Sequence, residues 1–354
     1  MQTLQTCLAL ADQGLEVTLV SGDGEAVARH AAALGLVRLP EGLRLATVSR
    51  RLGPLRSARL FGRRFRGWLG RRPVAGPGYV IHLKAAHLLG TLGIPFGYEA
   101  HEVFAESARS PRHQRALEHA ERRALERAAL RVATSRALAE ALNARYFPRS
   151  PRPFAVVPNA GDPPLPRSVA DPAGPLAYAG SLGDWKGLPL ALEAAARLGI
   201  PVRVIGGDRN DWERLVGTLS EPARRNTTWL PRRPAAELDR ALAGCRAGLI
   251  PTRPDTGIGR YSCPMKLFDY ARCGLPVAAT DLPSLDDLGL GPWCVRVAAP
   301  TLEAWTEALG RLPAAGDQAL AWAAGHTWRE RALRLRALLS AGVPDAPGRA
   351  RRSP

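Results

Sequence analysis

Tyr261–Pro276, YSCPMKLFDYARCGLP, decides the reading of the chain. Pro264 can open a helix, since its missing N–H costs nothing at a first helical position, and Ser262 and Cys263 precede it as cap candidates. Gly274 stands where a helix ends in a left-handed residue, and Leu275-Pro276 leads into an apolar strand, Pro276–Ala279. The free amides around Met265 and Lys266 then sit at a helix N-terminus on the C-terminal edge of a parallel sheet. Unpaired N–H groups and the helix dipole favour phosphate there. Lys266 and Asp269, three residues apart, share one helix face. The lysine suits a phosphate and the carboxylate suits ribose hydroxyls. An ordinary helix carrying a surface ion pair is the plain alternative.

Outward from this segment, short apolar runs alternate with helical patterns. Strands are expected at Glu16–Val20, Tyr79–Leu83, Pro95–Glu99 and Leu130–Ser135, then at Phe154–Pro158, Pro175–Ala179, Pro201–Ile205, Thr228–Leu230 and Ala247–Pro251. Helices of ordinary length lie between them. This alternation predicts an α/β protein with parallel sheets covered by helices on both faces. The proline-rich 148–153 marks a boundary. It divides residues 1–150, a first Rossmann-like domain, from residues 151–315, a second. Residues 316–340 form closing helices that can cross back to the first domain, and 341–354 is a polar tail expected to be disordered. One feature is out of pattern. A doubly wound domain opens on a central strand, and this chain opens on a helix, Thr3–Gln13. The first domain is therefore expected to lack its first strand and the Gly-rich loop after it, as a chain written from too late a start would.

The 354 residues carry a net charge of +17, which favours anionic partners. Nearly all the positive charge is arginine; the lysines are Lys84, Lys186 and Lys266. Five cysteines in no zinc or CxxC spacing fit a reducing cytoplasm, and no metal site is expected. No apolar run approaches the roughly 18 residues of a membrane span, and no signal peptide is visible.

Other segments add chemistry. Tyr178–Leu188, YAGSLGDWKGL, is a strand ending in Gly180-Ser181 and a loop closed by Lys186-Gly187 before a helix; that lysine can reach a diphosphate, or it is simply a solvated loop lysine. Pro201–Ile205 ends in Gly206-Gly207. Gly97–Glu102, GYEAHE, sets His101 at a strand's C-terminal end, where it can hydrogen-bond a sugar or stand as a half-buried structural histidine. Arg50–Arg72 holds nine arginines and no acid, interleaved with Phe61, Phe65 and Trp68. Its irregular spacing and glycines argue against one clean amphipathic helix. Contact with anionic membrane or an anionic acceptor is one reading, a solvated basic loop the other. No nucleic-acid-binding module is present.

VVPNAGD (Val156–Asp162), the YAGSL…WKG loop, CPMKLFDYARCGLPVAATD (Cys263–Asp281), GYEAHE and the closing HTWRERA (His326–Ala332) occur in an order that resembles the family 4 glycosyltransferases. The resemblance spans about Leu4 to Leu339. It implies the GT-B fold, two facing Rossmann-like domains, and a retaining transfer from a nucleotide-diphospho-sugar without metal or other cofactor. It implies that Lys186 clamps the diphosphate and Asp269 binds the ribose. Cys263, Pro264, Met265 and Lys266 would border the phosphates, His101 would stand by the transferred sugar, and Gly206 and Gly207 would admit the nucleotide. Such enzymes work at the cytoplasmic side, at times against the membrane's inner face on lipid-linked acceptors, in cell-envelope or exopolysaccharide synthesis. Three positions depart from the pattern. Tyr261 stands where the first of two glutamates is usual, Asp269 replaces the second, and Ser181 stands where an arginine is usual; Asp255 is a candidate for the sugar-side carboxylate. These departures keep two alternatives open, a non-catalytic GT-B scaffold and a GT-B nucleotide-sugar epimerase.

Overall fold

The structure, a computed structural model, describes residues 2–36, 38–52, 55–71, 76–314 and 316–343. It divides into two compact units. The first is Met1–Val157 together with the chain from Arg329 onward, and the second is Pro158–Trp328.

In the first unit, β1 (Val17–Ser21) and β2 (Leu43–Thr47) form a parallel pair. A short antiparallel ribbon, β3 (Arg51–Leu52) with β4 (Leu55–Arg56), follows. A separate parallel sheet runs β5-β6-β7-β8, from β5 (Gly78–Val80) through β6 (Phe96–Ala100) and β7 (Leu130–Ala133) to β8 (Ala155–Val156). Among the described residues no strand joins the two parallel sheets, and the chain opens on the helix Gln2–Asp12. Leu4 and Ala11 of that helix pack on Leu43.

Three expectations are corrected here. Phe154–Pro158 does not begin the second unit. Its strand, β8, pairs with β7 and extends the first sheet, so the boundary falls at Val157 rather than in the proline-rich stretch. The closing residues do not cross back together. Asp317–Ala324 packs on the Met265–Arg272 helix of the second unit, and only the last helix, from Arg329, belongs to the first. Inside Arg50–Arg72 the structure forms a regular helix, Ala58–Gly70, despite Gly62 and Gly67. Buried Phe65 anchors it, and tertiary packing outweighs the roughly 1 kcal/mol that each interior glycine costs. Residues 53–54 and 72 of that stretch lie outside the described residues, as does the tail from 344.

The second unit has one six-stranded parallel sheet, ordered β11-β10-β9-β12-β13-β14. Its strands are β9 (Leu176–Ala179), β10 (Val202–Ile205), β11 (Thr227–Leu230), β12 (Ala247–Ile250), β13 (Val277–Thr280) and β14 (Cys294–Val297). LAYA, AGLI and VAAT are buried throughout, as strands covered on both faces must be. Leu188–Arg197 and Leu302–Gly310 pack over one face with Trp305 between; Met265–Arg272 covers the other with Phe268 and Tyr270. The chain builds outward from β9 to β11 and then returns to place β12 on β9's other side. The β9/β12 edge is thus the switch point where ligands bind in such sheets. Among the described residues no helix is long and apolar enough to cross a membrane.

Candidate functional site

At the C-terminal end of β9 the chain turns through Gly180–Gly187, and Gly187 takes a left-handed φ of 63° before the Leu188–Arg197 helix. Lys186 leaves this turn with Nζ 3.5 Å above the Trp185 ring. Lys266 comes from the first turn of Met265–Arg272, on the opposite face of the sheet, with Nζ 3.6 Å above the Tyr178 ring of β9. The Tyr178 hydroxyl is fixed by donating to the Ser181 carbonyl at 2.6 Å. Lys266 is 7% exposed, and its Nζ has no hydrogen-bond partner among the described residues. Burial pushes its pKa well below the ordinary lysine value, and the positive charge of Lys186 adds to this against the weaker pull of Asp269. Burial also lowers Lys186, to about 8. Two of the three lysines in the chain therefore converge, from two different elements, without a compensating hydrogen-bonded anion. An unpaired buried cation is costly, so the arrangement favours an anion.

The glycines make room for this. Gly180 (φ 151°) lies where an added Cβ would stand 3.3 Å from Lys266 Nζ, so a side chain there competes with the ammonium for space. Gly206 (φ 124°) abuts the Gly180 carbonyl, Gly207 (φ 68°) abuts Leu182, and Trp229 Nε1 donates to the Gly206 carbonyl at 2.8 Å. Gly206 and Gly207 thus serve the close fit of two strand-end loops. Gly206→Ala adds a Cβ that collides with the Gly180 carbonyl at a backbone angle that favours glycine. It is expected to destabilise the second unit by about 2–3 kcal/mol in denaturant titration.

Pro264 is the N-cap, not the first helical residue, and no side chain caps the Met265–Arg272 helix. The expected Ser262 or Cys263 cap does not form, because Pro264 itself takes the N-cap position and both residues lie before it. Cys263 O accepts from Asn159 Nδ2 at 2.7 Å, and Ser262 O from Ser284 Oγ at 2.7 Å. Asp269, one turn past Lys266, has its carboxyl pushed up to about 7, first by burial and then by the Asp162 carboxylate; Arg272 opposes this, Asp239 adds to it, and Lys266 opposes it. Near neutrality it can donate as well as accept a hydrogen bond. Arg272 is itself tied to Asp239. Sequence reasoning assigned no role to Tyr178, Trp185, Asn159 or Asp162. The signal for Asp162 was its place at the end of VVPNAGD, and Tyr178 read only as a strand residue.

The structure does not bring Asp255 to the lysines. It is exposed and held by Arg253 at 3.1 and 2.5 Å, and that partner keeps its pKa low. It lines a pocket of about 620 Å3 together with Asp184, Arg214, Pro251 and Trp305, and neither Lys186 nor Lys266 borders that pocket. Tyr261 is buried behind the Gly257–Arg260 turn, and Ser181 is exposed.

In the first unit, His101 follows β6. Its Nε2 lies 2.9 Å from Glu99 Oε1, off the line of an ideal hydrogen bond. Glu99 is buried and bonded to Tyr79 Oη and to Arg331 of the last helix. Burial alone would raise its pKa, but Arg331, His101 and Tyr79 together hold it at about 2. Burial, and then the nearby His101, lower the pKa of His82. Among the described residues no group of three His, Cys, Asp or Glu side chains could hold a metal.

Residues 1–163 match the family model described as Glycosyltransferase Family 4, and residues 174–314 match that described as Glycosyl transferases group 1. No curated protein matches the sequence. Several solved structures share the fold. HepE of Anabaena in complex with UDP is 15% identical, with 95% of this chain and 96% of that one covered and a TM-score of 0.66. AviGT4, a glycosyltransferase involved in avilamycin A biosynthesis, is 19% identical over 96% and 89%, with a TM-score of 0.62. The lipopolysaccharide outer core galactosyltransferase WaaB is 17% identical over 85% of each chain, with a TM-score of 0.59.

Proposed function

Because the chain belongs to the family 4 glycosyltransferases, with the GT-B fold, we propose that its second unit grips the diphosphate of a nucleotide-diphospho-sugar between Lys186 and Lys266. The observation that carries this is the buried, unpartnered Lys266 Nζ. Lys266 enters from the helix and supplies the second cation that the strand-end loop lacks at Ser181. As the glycosidic bond breaks, charge builds on the β-phosphate, and the two preplaced lysines, held protonated by the bound diphosphate, stabilise it. Asp269 takes the ribose hydroxyls, and the uncapped amides at Met265 and Lys266 face the phosphates. The lysines supply positive charge in place of a metal, and the family resemblance supports retention at the anomeric carbon. His101 is the first unit's candidate for a hydrogen bond to a sugar. UDP in the HepE complex supports a uridine donor.

A panel of nucleotide sugars, read by calorimetry and by the anomeric configuration of the product, tests this reading. A single tight donor and a product of unchanged anomeric configuration, formed equally in chelator, are expected. Inverted product would remove the mechanism, and absence of binding by every nucleotide would remove the site. Donor binding with no transfer to any acceptor would favour the second reading, a non-catalytic donor-binding protein, which the buried Tyr261 and the Arg253-paired Asp255 support.

Binding should also depend on pH. Lys186 is depressed to about 8 from 10.5. Below about 8 it is charged and meets the diphosphate directly. As pH rises through 8 the free protein loses that proton and must regain it to bind. Affinity is expected to fall by up to about tenfold per pH unit above 8. Folding stability runs the other way. The unfolded chain holds the proton up to 10.5, so this lysine's cost to the fold shrinks as pH rises from 8 towards 10.5. Calorimetry between pH 6 and 9.5 reads the first effect; a flat profile contradicts it.

A further inference from the structure

Between Glu41 and Glu99 the chain carries ten arginines, one lysine and no aspartate or glutamate. The centre of this stretch is the Ala58–Gly70 helix, ARLFGRRFRGWLG, capped by Ser57 Oγ accepting from Leu60 N at 3.2 Å. Phe61, Phe65 and Trp68 stack along one side, with centroids 5.7 and 5.9 Å apart. Phe65 is buried and its neighbours half-buried, so this side fastens the helix to the first unit. Arg59, Arg63, Arg64 and Arg66 are exposed, and Arg71 follows at the C-cap. No ion pair joins Arg59, Arg63, Arg66 or Arg71 to an acid among the described residues. Surface helices ordinarily interleave acids at these spacings. Here Arg59/Arg63 (i, i+4) and Arg63/Arg66 (i, i+3) repel one another. The face is therefore strained electrostatically until an anionic surface meets it.

We propose that this helix docks the protein on an anionic phospholipid bilayer. Thirteen residues present a face about 20 Å long, matched to a plane of headgroup phosphates. Leu60 and Leu69, half-exposed beside the arginines, suit the boundary between headgroup and acyl chain. The sequence holds no nucleic-acid-binding module, and an arginine face edged by apolar side chains suits a headgroup plane. The docking is independent of the donor reading, since it uses none of the second unit's residues.

The test is co-sedimentation of the full chain with vesicles of phosphatidylcholine alone or with about one-third phosphatidylglycerol. Binding to the anionic vesicles only, weakened by salt, is expected. The variant R59Q/R63Q/R66Q/R71Q should bind at least about 100-fold more weakly, and R59K/R63K/R66K/R71K within a few-fold of wild type. Nucleotide affinity and circular dichroism should be unchanged in both. Should the glutamine variant fold poorly, R63Q and R66Q are read singly, each about fivefold weaker. Equal binding to neutral vesicles, no binding to anionic ones, or glutamine variants that bind like wild type would overturn the proposal. So would an RNA duplex held more tightly than the vesicles through the same arginines.

Discussion

Lys266→Met is expected to weaken nucleoside diphosphate binding by about 10- to 100-fold while leaving the second unit as stable as wild type or more so. A hydrogen bond to a charged partner contributes about 1.5–3 kcal/mol, which sets the affinity loss. Stability moves the other way because Lys266 Nζ is buried over Tyr178 with no hydrogen-bond partner in the free protein. Methionine fills similar volume and carries no charge to desolvate. Calorimetry with UDP and GDP, paired with a melting curve, reads both effects. A residue held only for packing would lose stability and keep affinity, and that outcome would remove Lys266 from the site. Lys186→Ala should lower affinity comparably with little change in stability, since Lys186 is half-exposed and gives up only the contact of its Nζ with the Trp185 ring.

Arg331→Met should have the largest effect on stability. Arg331 is the cationic partner of Glu99, and both side chains are almost fully buried, at 3% and 2% exposure. Removing one member of a buried pair leaves the other charged in a medium that cannot solvate it, at a cost of about 3–5 kcal/mol. Hydrogen exchange should show the β6 strand losing protection by at least about 100-fold, with β9 to β14 of the second unit as the internal control. Adding Glu99→Gln to Arg331→Met should restore most of the loss, because the orphaned charge is then gone. The wild-type pair also sets an acid limit. Glu99 is lowered from 4.5 to about 2, so its stabilisation is complete above 4.5 and is lost as pH falls towards 2. The first unit should therefore loosen over that range, and less steeply with Glu99→Gln. Equal acid sensitivity in the two proteins would contradict this assignment.

What was legible in the sequence was local. Pro264 and Gly274 bracket a helix by their own backbone chemistry, and the rarity of lysine singled out Lys186 and Lys266 before any contact was known. The alternation of apolar runs gave parallel α/β sheets because strands buried on both faces, such as AGLI and VAAT, leave no polar register to read. What was hidden depends on residues far apart in the chain. Tyr178 reads as a core aromatic until Lys266 is found above its ring. Asp162 lies close enough to raise Asp269 only because the second sheet brings two distant segments together. Asp255 looked like a sugar-side carboxylate by sequence position, yet two residues away stood Arg253, a partner that takes it. The Ala58–Gly70 helix was obscured by its glycines, since propensity is local and the burial of Phe65 is not.

The last helix also orders events in time. Glu99 and Arg331 are separated by 232 positions, and the whole second unit is encoded between them. During synthesis the second unit emerges complete and can close its own sheet. The first must wait with Glu99 uncompensated until the final helix leaves the ribosome. Chains released from the ribosome but ending just before Arg331 should hold a finished second unit beside a first unit still open to chaperones and proteases.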